Sequence, residues 1–374
     1  MKEMEGEERR WIHRIALAML KGIGPVNARN LVAYCGGVDA LFTDPKVGKA
    51  LAKVPGIGPK LLSEITGKST LLRAERELDW VRKQGLRMLF YQDAGYPRRL
   101  KHAVDAPVLL YVKGNADLDP ERSVAIVGTR RPTEHGRHLC EALVEGLAGA
   151  GVTIVSGLAY GIDITAHRAA LKHGLPTVAA VAHGLDRLYP GVHAATAKAM
   201  LEQGGLVAEQ PSGSPFVPGN FPARNRVIAG LSDCTIVVES GPKGGSLITA
   251  DIADSYDRDV FAVPGRPGDP ASEGCNRLIQ QNRAALITGP EDVLRLMEWL
   301  PGKKPAAPVQ ADLFQDLLPE QQAVVDVLKQ QGRTDIDTLC LASGIPQGRT
   351  AGILLDLEFS GLVKALPGKV YTLA

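Results

Sequence analysis

Between residues 123 and 263 the chain repeats one unit: a short run of β-branched and small apolar residues, a glycine-bearing break, and a helix-length stretch. The runs at 123–127, 152–155, 177–181, 206–208, 234–238 and 259–263 are largely apolar on both faces. A strand of that kind needs cover above and below, which is the condition of a parallel sheet between two layers of helices. The stretches 134–148, 161–172, 192–203 and 246–256 have the length and Ala/Leu content to supply it. The expected fold class is therefore α/β, a doubly wound, Rossmann-like parallel sheet. Two further apolar runs, 86–91 and 107–112, are expected to extend its N-terminal side.

In such sheets ligands bind outside the carboxyl ends of the strands. The sequence places Gly128-Thr-Arg-Arg131, Ser156-Gly-Leu-Ala-Tyr-Gly-Ile-Asp163, His183-Gly-Leu-Asp186 and Glu239-Ser-Gly-Pro-Lys-Gly-Gly-Ser246 there. Backbone N–H groups, small hydroxyls and guanidinium on one edge suit a phosphate. Phe221-Pro-Ala-Arg-Asn-Arg226 adds two arginines around Asn225. Read as first-turn residues of an apolar helix, Arg224 and Arg226 oppose the helix dipole, so pairing with a bound phosphate explains them better than helix stability does. Gly128-Thr-Arg lacks the second glycine of a dinucleotide-binding turn, and Gly241-Pro-Lys-Gly-Gly-Ser246 is short of a P-loop. Neither a pyrophosphate turn nor ATP hydrolysis is expected. Asp163 and His167 read as a cap and a helix-face hydrogen bond, because no nucleophile accompanies them. His135 and His138 have no third ligand close in sequence, so no metal is expected.

Charge is uneven. The 374 residues carry 43 Lys+Arg against 41 Asp+Glu, a net +2 that conceals where the charges lie. Residues 1–110 hold 19 basic and 12 acidic side chains, residues 111–300 hold 17 and 21, and residues 301–374 hold 7 and 8. In the middle segment 13 of the 17 are arginine, which favours fixed bidentate contacts over a diffuse solvated surface. No apolar run approaches the ~18–20 residues of a membrane span. Glu3, Glu5, Glu7 and Glu8 have the wrong sign for a secretory signal, and five scattered cysteines form no C-x-x-C pair. A cytoplasmic protein with reduced thiols is expected. Aromatic residues make up only 5% of the chain, so base stacking cannot be spread widely; Phe221, beside the arginines, is the candidate.

The basic N-terminal segment contains an echo. Lys21-Gly-Ile-Gly-Pro25 and Val54-Pro-Gly-Ile-Gly-Pro59 each feed a helix, 34 residues apart. Gly22, Gly24, Gly56 and Gly58 let the backbone come close to a phosphate, and Lys60 follows the second turn. The pattern resembles the helix-hairpin-helix, a sequence-independent binder of nucleic-acid backbone. The segment 301–308, rich in Pro, Gly, Lys and Ala, reads as an extended linker.

Taken together these stretches resemble the DNA-processing protein A family (DprA/Smf) over nearly the full length. The matching residues are Val124-Ala-Ile-Val-Gly-Thr-Arg130, Ser156-Gly-Leu-Ala-Tyr-Gly-Ile-Asp163 with Ala166-His167, and Gly184-Leu-Asp186 with Tyr189-Pro190. Others are Phe221-Pro-Ala-Arg-Asn-Arg226, Gly245-Ser-Leu-Ile-Thr-Ala250, Val263-Pro-Gly265 and Gly274-Cys-Asn-Arg-Leu-Ile279. The resemblance implies a non-catalytic binder of single-stranded DNA that loads the recombinase RecA onto incoming strands during natural transformation and protects them. It implies a homodimer through the Rossmann-like domain, single-strand-binding protein as a further partner, and no cofactor. The implied DNA groove comprises Gly128, Thr129, Arg130, Ser156, Gly157, Arg224, Asn225, Arg226, Lys243 and Gly245; Phe221 and Ser246 join them from the reading of the loops. Where many members have Gly-Ala this chain has Asn282-Arg283; asparagine tolerates the left-handed conformation such a turn needs.

The expected layout is a small helical, SAM-like/helix-hairpin-helix domain at 1–70, the extended Rossmann-like domain at 71–300, a linker at 301–317 and a winged helix at 318–374. In the last, 334–341 and 347–360 pair as a helix-turn-helix and 362–371 forms the wing. Its near-neutral charge favours protein contact at least as much as DNA. The alternative function is that of a Rossmann-like nucleotide phosphoribohydrolase of the lysine-decarboxylase-like family, which carries P-G-G-x-G-T-x-x-E. Gly244-Gly245 is similar to it, but the second Gly-Thr is absent and Asp251 is not in the glutamate position. An adaptor using the hairpin turns on duplex DNA is a third reading.

Overall fold

Glycine and proline punctuate the first helices. α1 (Lys2–Ala18), α2 (Pro25–Cys35), α3 (Val38–Thr43), α4 (Pro45–Leu51), α5 (Pro59–Thr66) and α6 (Lys68–Lys83) succeed one another through short turns. Proline stands at the start of α2, α4 and α5, where its missing N–H would have had no partner. The structure, a computed structural model, describes residues 2–52, 57–300, 317–366 and 369–373. Gly56 of the second turn and residues 301–316 of the expected linker lie outside them.

The sheet begins with β1 (Arg87–Phe90), followed by α7 (Arg98–Lys101) and β2 (Leu109–Gly114). The alternating unit then runs β3 (Ser123–Val127), α8 (Glu134–Leu147), β4 (Thr153–Ser156), α9 (Ile162–Lys172), β5 (Thr177–Val181), α10 (Ala194–Gln203) and β6 (Gly205–Ala208). It continues with α11 (Asn220–Gly230), β7 (Cys234–Val237), α12 (Gly245–Ser255), β8 (Asp259–Ala262), α13 (Glu273–Gln280), β9 (Ala285–Leu286) and α14 (Pro290–Leu296). Nine strands form one sheet in the order β1-β2-β6-β5-β4-β3-β7-β8-β9. The seven from β6 to β9 are parallel; β2 lies antiparallel to β6, and β1 to β2. The doubly wound sheet is as expected, and its N-terminal extension is an antiparallel pair added at one edge.

Strand order reverses direction once. From β3 the chain steps outward through β4, β5 and β6, then returns to the other side of β3 as β7. The loops that leave β3 and β7 diverge, opening a crevice at their carboxyl ends. The two faces follow from the pleat. Val124, Ile126 and Ile154 pack against α8 and α9, while Ala125, Val127 and Val155 pack toward α11 and α12.

The helical segment does not stop at residue 70. α6 continues to Lys83, and α1 and α6 send Ile15, Leu17, Leu78 and Val81 into one core with Tyr111, Ala179, Val181, Met200 and Ala208 of the sheet and α10. The chain divides into two compact units, Met1–Pro301 and Gly302–Ala374. The second contains α15 (Pro319–Gln331), β10 (Thr334–Asp335), α16 (Ile336–Ser343), α17 (Gln347–Phe359), β11 (Val363–Leu366) and β12 (Val370–Leu373). Its three strands, ordered β10-β12-β11, and three helices enclose Val324, Leu328, Leu339, Leu354 and Leu357, a winged helix as expected. Asp335 caps α16 by accepting from the N–H groups of Asp337 and Thr338.

Candidate nucleic-acid interface

The crevice between β3 and β7 is a cavity of about 260 Å³. Gly128, Thr129 and Arg130 line it from the loop after β3, Asp163 from α9, and Phe221, Arg224 and Asn225 from α11. Gly244, Gly245 and Ser246 close it with the first turn of α12, whose N–H groups are the positive end of the helix. The loop after β3 is pinned: Thr129 N donates to Glu239 O at 2.7 Å, and Ile162 N donates to Thr129 O at 3.2 Å. A side chain at Gly128 would strike Ile162 and the Glu239 carbonyl, so glycine is required where this loop crosses. At Gly245 a Cβ would meet nothing within 4 Å, and its place is open to a ligand.

Arg224 forms the floor. It is buried, donating from Nη1 to the carbonyls of Gly157 at 2.5 Å and Ala180 at 2.8 Å, and from Nε to Asn225 Oδ1 at 3.1 Å. Nη2 has no hydrogen-bond partner among the described residues. Asp163, also buried, accepts from the N–H groups of Gly157 at 3.2 Å and Ala159 at 3.4 Å. Burial raises the Asp163 pKa, opposed by the Arg224 charge and by these amide donors. Burial likewise lowers that of Arg224, opposed by Asp163. Gly157 is glycine because a Cβ there would run into the Arg224 guanidinium. Above the floor, Arg130 is exposed, makes no ion pair among the described residues, and lies with its guanidinium carbon 5.5 Å from the centre of the Phe221 ring.

Beyond Arg130 and Phe221 the rim turns aromatic. A second depression shares Arg130, Ala159, Phe221 and Arg224 with the first and adds Tyr160, His183 and Tyr189. Phe216, in the loop before α11, lies 4.8 Å from Tyr189 and 5.4 Å from Phe221, edge to face. Tyr160, Tyr189 and Phe216 are 47%, 46% and 42% exposed, and what sets them apart is that they gather at one rim with Phe221 rather than standing singly. His183 positions Tyr189: its Nδ1 donates to Gly184 O at 2.9 Å, and its Nε2 accepts from Tyr189 N at 3.1 Å.

A family model described as "DNA recombination-mediator protein A" matches residues 87–298, the sheet and its helices, and a "DprA winged helix domain" model matches residues 304–369. The chain belongs to the DprA/Smf family. It is 37% identical to protein Smf of Escherichia coli over 96% of this chain and 94% of that one. The crystal structure of DprA from Streptococcus pneumoniae superimposes with a TM-score of 0.67 at 34% identity, covering 76% of this chain and 97% of that one. DprA from Helicobacter pylori, described for its single-stranded DNA binding mode, superimposes with a TM-score of 0.52 at 30% identity, covering 57% and 95%.

Against this DprA/Smf background the structure divides the expected groove residues. It brings Gly128, Thr129, Arg130, Phe221, Arg224, Asn225, Gly245 and Ser246 to one cavity. Gly157 lines the neighbouring aromatic depression. Arg226 is a correction. Its guanidinium turns away from the cavity, with Nε on Ala223 O at 3.0 Å, Nη1 on Asp105 O and Nη2 on the Glu209 carboxylate, so every nitrogen is engaged within the protein. Neither arginine stands in the first turn against the helix dipole, because α11 starts at Asn220 and places both in its second turn. Ser156 is fully buried behind the loop, its hydroxyl donating to Ile126 O at 2.6 Å. Lys243 is exposed in the loop before α12 and does not line the cavity. Ser246 has its hydroxyl turned to Ser240 Oγ at 2.9 Å.

Asp163 and His167 are both engaged inside the protein, but not as a cap and a helix-face bond: Gly161 precedes α9 without a side-chain cap, Asp163 holds amides of the loop before the helix, and His167 Nδ1 lies 2.7 Å from Thr177 Oγ1 of β5. Asn282 adopts φ +55°, and Arg283 pairs with Asp251 and Asp254. At the hairpin turns, Gly22 has φ +77°, and Gly24 and Gly58 precede α2 and α5 in extended conformation. Lys60 is exposed. The Lys21 N–H of the first turn donates to Glu64 Oε2 of α5 at 2.9 Å, a protein carboxylate standing where a phosphate was expected. In the winged helix Arg349 of α17 is held by Glu320 at 2.8 Å, which ties up the basic side chain nearest the start of that helix.

Tyr160, Tyr189 and Phe216 were missed from sequence. Two of them stand inside the family stretches, but only folding brings the three loops that carry them to one edge.

Proposed function

We propose that this DprA/Smf family member binds single-stranded DNA across the crevice and its aromatic flank, and presents the strand to RecA during transformation. The observation that carries the reading is the juxtaposition at Arg130. On one side lie backbone N–H groups, an open glycine and a buried arginine with a free Nη2, a setting for phosphate. On the other lie three half-exposed aromatic rings, a setting for unpaired bases. A duplex stacks its bases inside and cannot use both. The binding described for the Helicobacter pylori relative agrees with this choice of ligand.

The reading is non-catalytic. Asp163 is the one carboxylate among the described residues lining the cavity, and it is committed to Gly157, Ala159 and Arg224. A general acid or base would need a carboxyl free to exchange a proton with substrate. The recombination-mediator description of the family supports RecA as the recipient, and we carry over single-strand-binding protein and a homodimer through the sheet domain as part of the same proposal.

Fluorescence anisotropy with oligo-dT and with a duplex of equal length tests the ligand. Binding should favour the single strand and weaken steeply with salt. Equal affinity for both would sink the reading. RecA filament assembly on strands coated with single-strand-binding protein, with and without this protein, tests the mediator role.

A further inference from the structure

α6 buries one face of the helix, Thr70, Ala74, Glu77, Leu78 and Val81, of which only Glu77 carries a charge. Glu77 is 3% exposed. A carboxylate in that position is unfavourable unless it is paired and hydrogen-bonded. Its partners come from far along the chain: Ser212 N donates to Oε1 at 2.9 Å, and the Ser212 hydroxyl donates to Oε2. No ion pair supplements them among the described residues. The Tyr111 hydroxyl, close enough to feel the Glu77 charge, is buried without a partner, and both Glu77 oxygens accept from Ser212 instead.

Ser212 stands in the loop between β6 and α11, four residues before Phe216. The loop is tethered at its start by Glu209 to Arg226 and tightened by Ser214, whose hydroxyl donates to Pro211 O at 2.7 Å. Gly213 takes φ +68° just after Ser212. Pro211 presses on Gly184, where a Cβ would collide with its carbonyl. Phe216 then reaches Tyr189 and Phe221 from a segment with no regular structure of its own.

We propose that Glu77, on the N-terminal helical segment, is a positioning residue for the nucleic-acid site: by gripping Ser212 it fixes the loop that holds Phe216 against Tyr189 and Phe221. The inference rests on the single-stranded DNA reading above and adds to it a link between the helical segment and the bases. The phosphate side of the site, around Arg130 and Gly245, does not depend on this grip.

The test uses the full chain with Glu77→Ala, Ser212→Ala and Phe216→Ala, binding oligo-dT and an abasic strand of the same length. Glu77→Ala should weaken oligo-dT binding about tenfold, the scale of one lost base stack, and abasic binding by less than about twofold. In a Phe216→Ala background it should cause no further loss, because both changes remove the same contact. Ser212→Ala, which keeps the carboxylate and one bond, should show the same selectivity at smaller size and serves if Glu77→Ala does not fold. Equal losses on both strands, or fully additive losses with Phe216→Ala, overturn the positioning role while leaving DNA binding intact. A wild-type chain that does not bind oligo-dT overturns the binding reading and this inference with it.

Discussion

Arg130 and Arg226 look interchangeable in sequence and are opposites in the structure. Arg130 is exposed and unpaired, so Arg130→Ala should leave the melting temperature unchanged, weaken oligo-dT binding about tenfold and reduce the salt slope by about one. Arg226 holds Glu209 and the Asp105 carbonyl from a buried position. Arg226→Ala leaves that carboxylate without its partner and should lower stability by roughly 3–5 kcal/mol. Urea unfolding alongside anisotropy separates the two; an Arg226→Ala protein of full stability that no longer binds would overturn this assignment. His167 offers a pH signature. Its Nδ1 faces Thr177, its Nε2 is buried without a partner, and burial together with the Arg224 charge lowers its pKa from 6.5 to about 3. The unfolded chain therefore takes up a proton before the folded one does. The contribution is complete above pH 6.5 and is lost as pH falls toward 3, at up to ~1.4 kcal/mol per unit. Wild type should lose more stability than His167→Asn between pH 7 and pH 5; parallel losses in urea unfolding would refute it.

Among the elements, the parallel strands were legible because burial on both faces leaves an unbroken apolar run, and no tertiary detail is needed to see it. The start of α11 was not. Gly219, at the cap position, has no side chain to offer, and Asn220, a residue type that often caps, is already inside the helix with its Nδ2 donating back to Pro215 O at 3.3 Å, so the sequence does not mark where the helix begins. Pro222 is tolerated there because the first-turn N–H groups have no helical acceptor. The glycines of the rim divide in the same way: sequence marks them all as candidates, and only packing tells a seat from an opening. Gly128→Ala should destabilise the protein, since Ile162 and the Glu239 carbonyl occupy the space. Gly245→Ala should keep or slightly raise stability, by at most ~1 kcal/mol, and weaken DNA binding by crowding the phosphate. Thermal unfolding and anisotropy on the pair would expose the error if Gly245→Ala bound as wild type does.

For the whole molecule, the two compact units make a specific demand. A chain ending at Leu300 should unfold cooperatively and bind oligo-dT within about twofold of the full chain, because the crevice, the aromatic flank and Glu77 all lie in the first unit. Loss of folding in that fragment would show that the winged helix supports the sheet. Deleting residues 1–83 should fail instead, since it uncovers Tyr111, Ala179, Val181 and Ala208. Charge arithmetic could not have revealed this: the basic excess of the N-terminus marks it as different in surface, while its interior is continuous with that of an acidic neighbour.

That shared interior has a consequence for descent. A domain joined by a tether can be exchanged between lineages with its surface alone adjusted. Here Leu78 and Val81 belong to the same core as Tyr111 and Ala208, so a change of volume on one side should be felt on the other. A chimera that borrows the helical segment or the sheet from a distant relative should therefore pack less well at their seam than either parent.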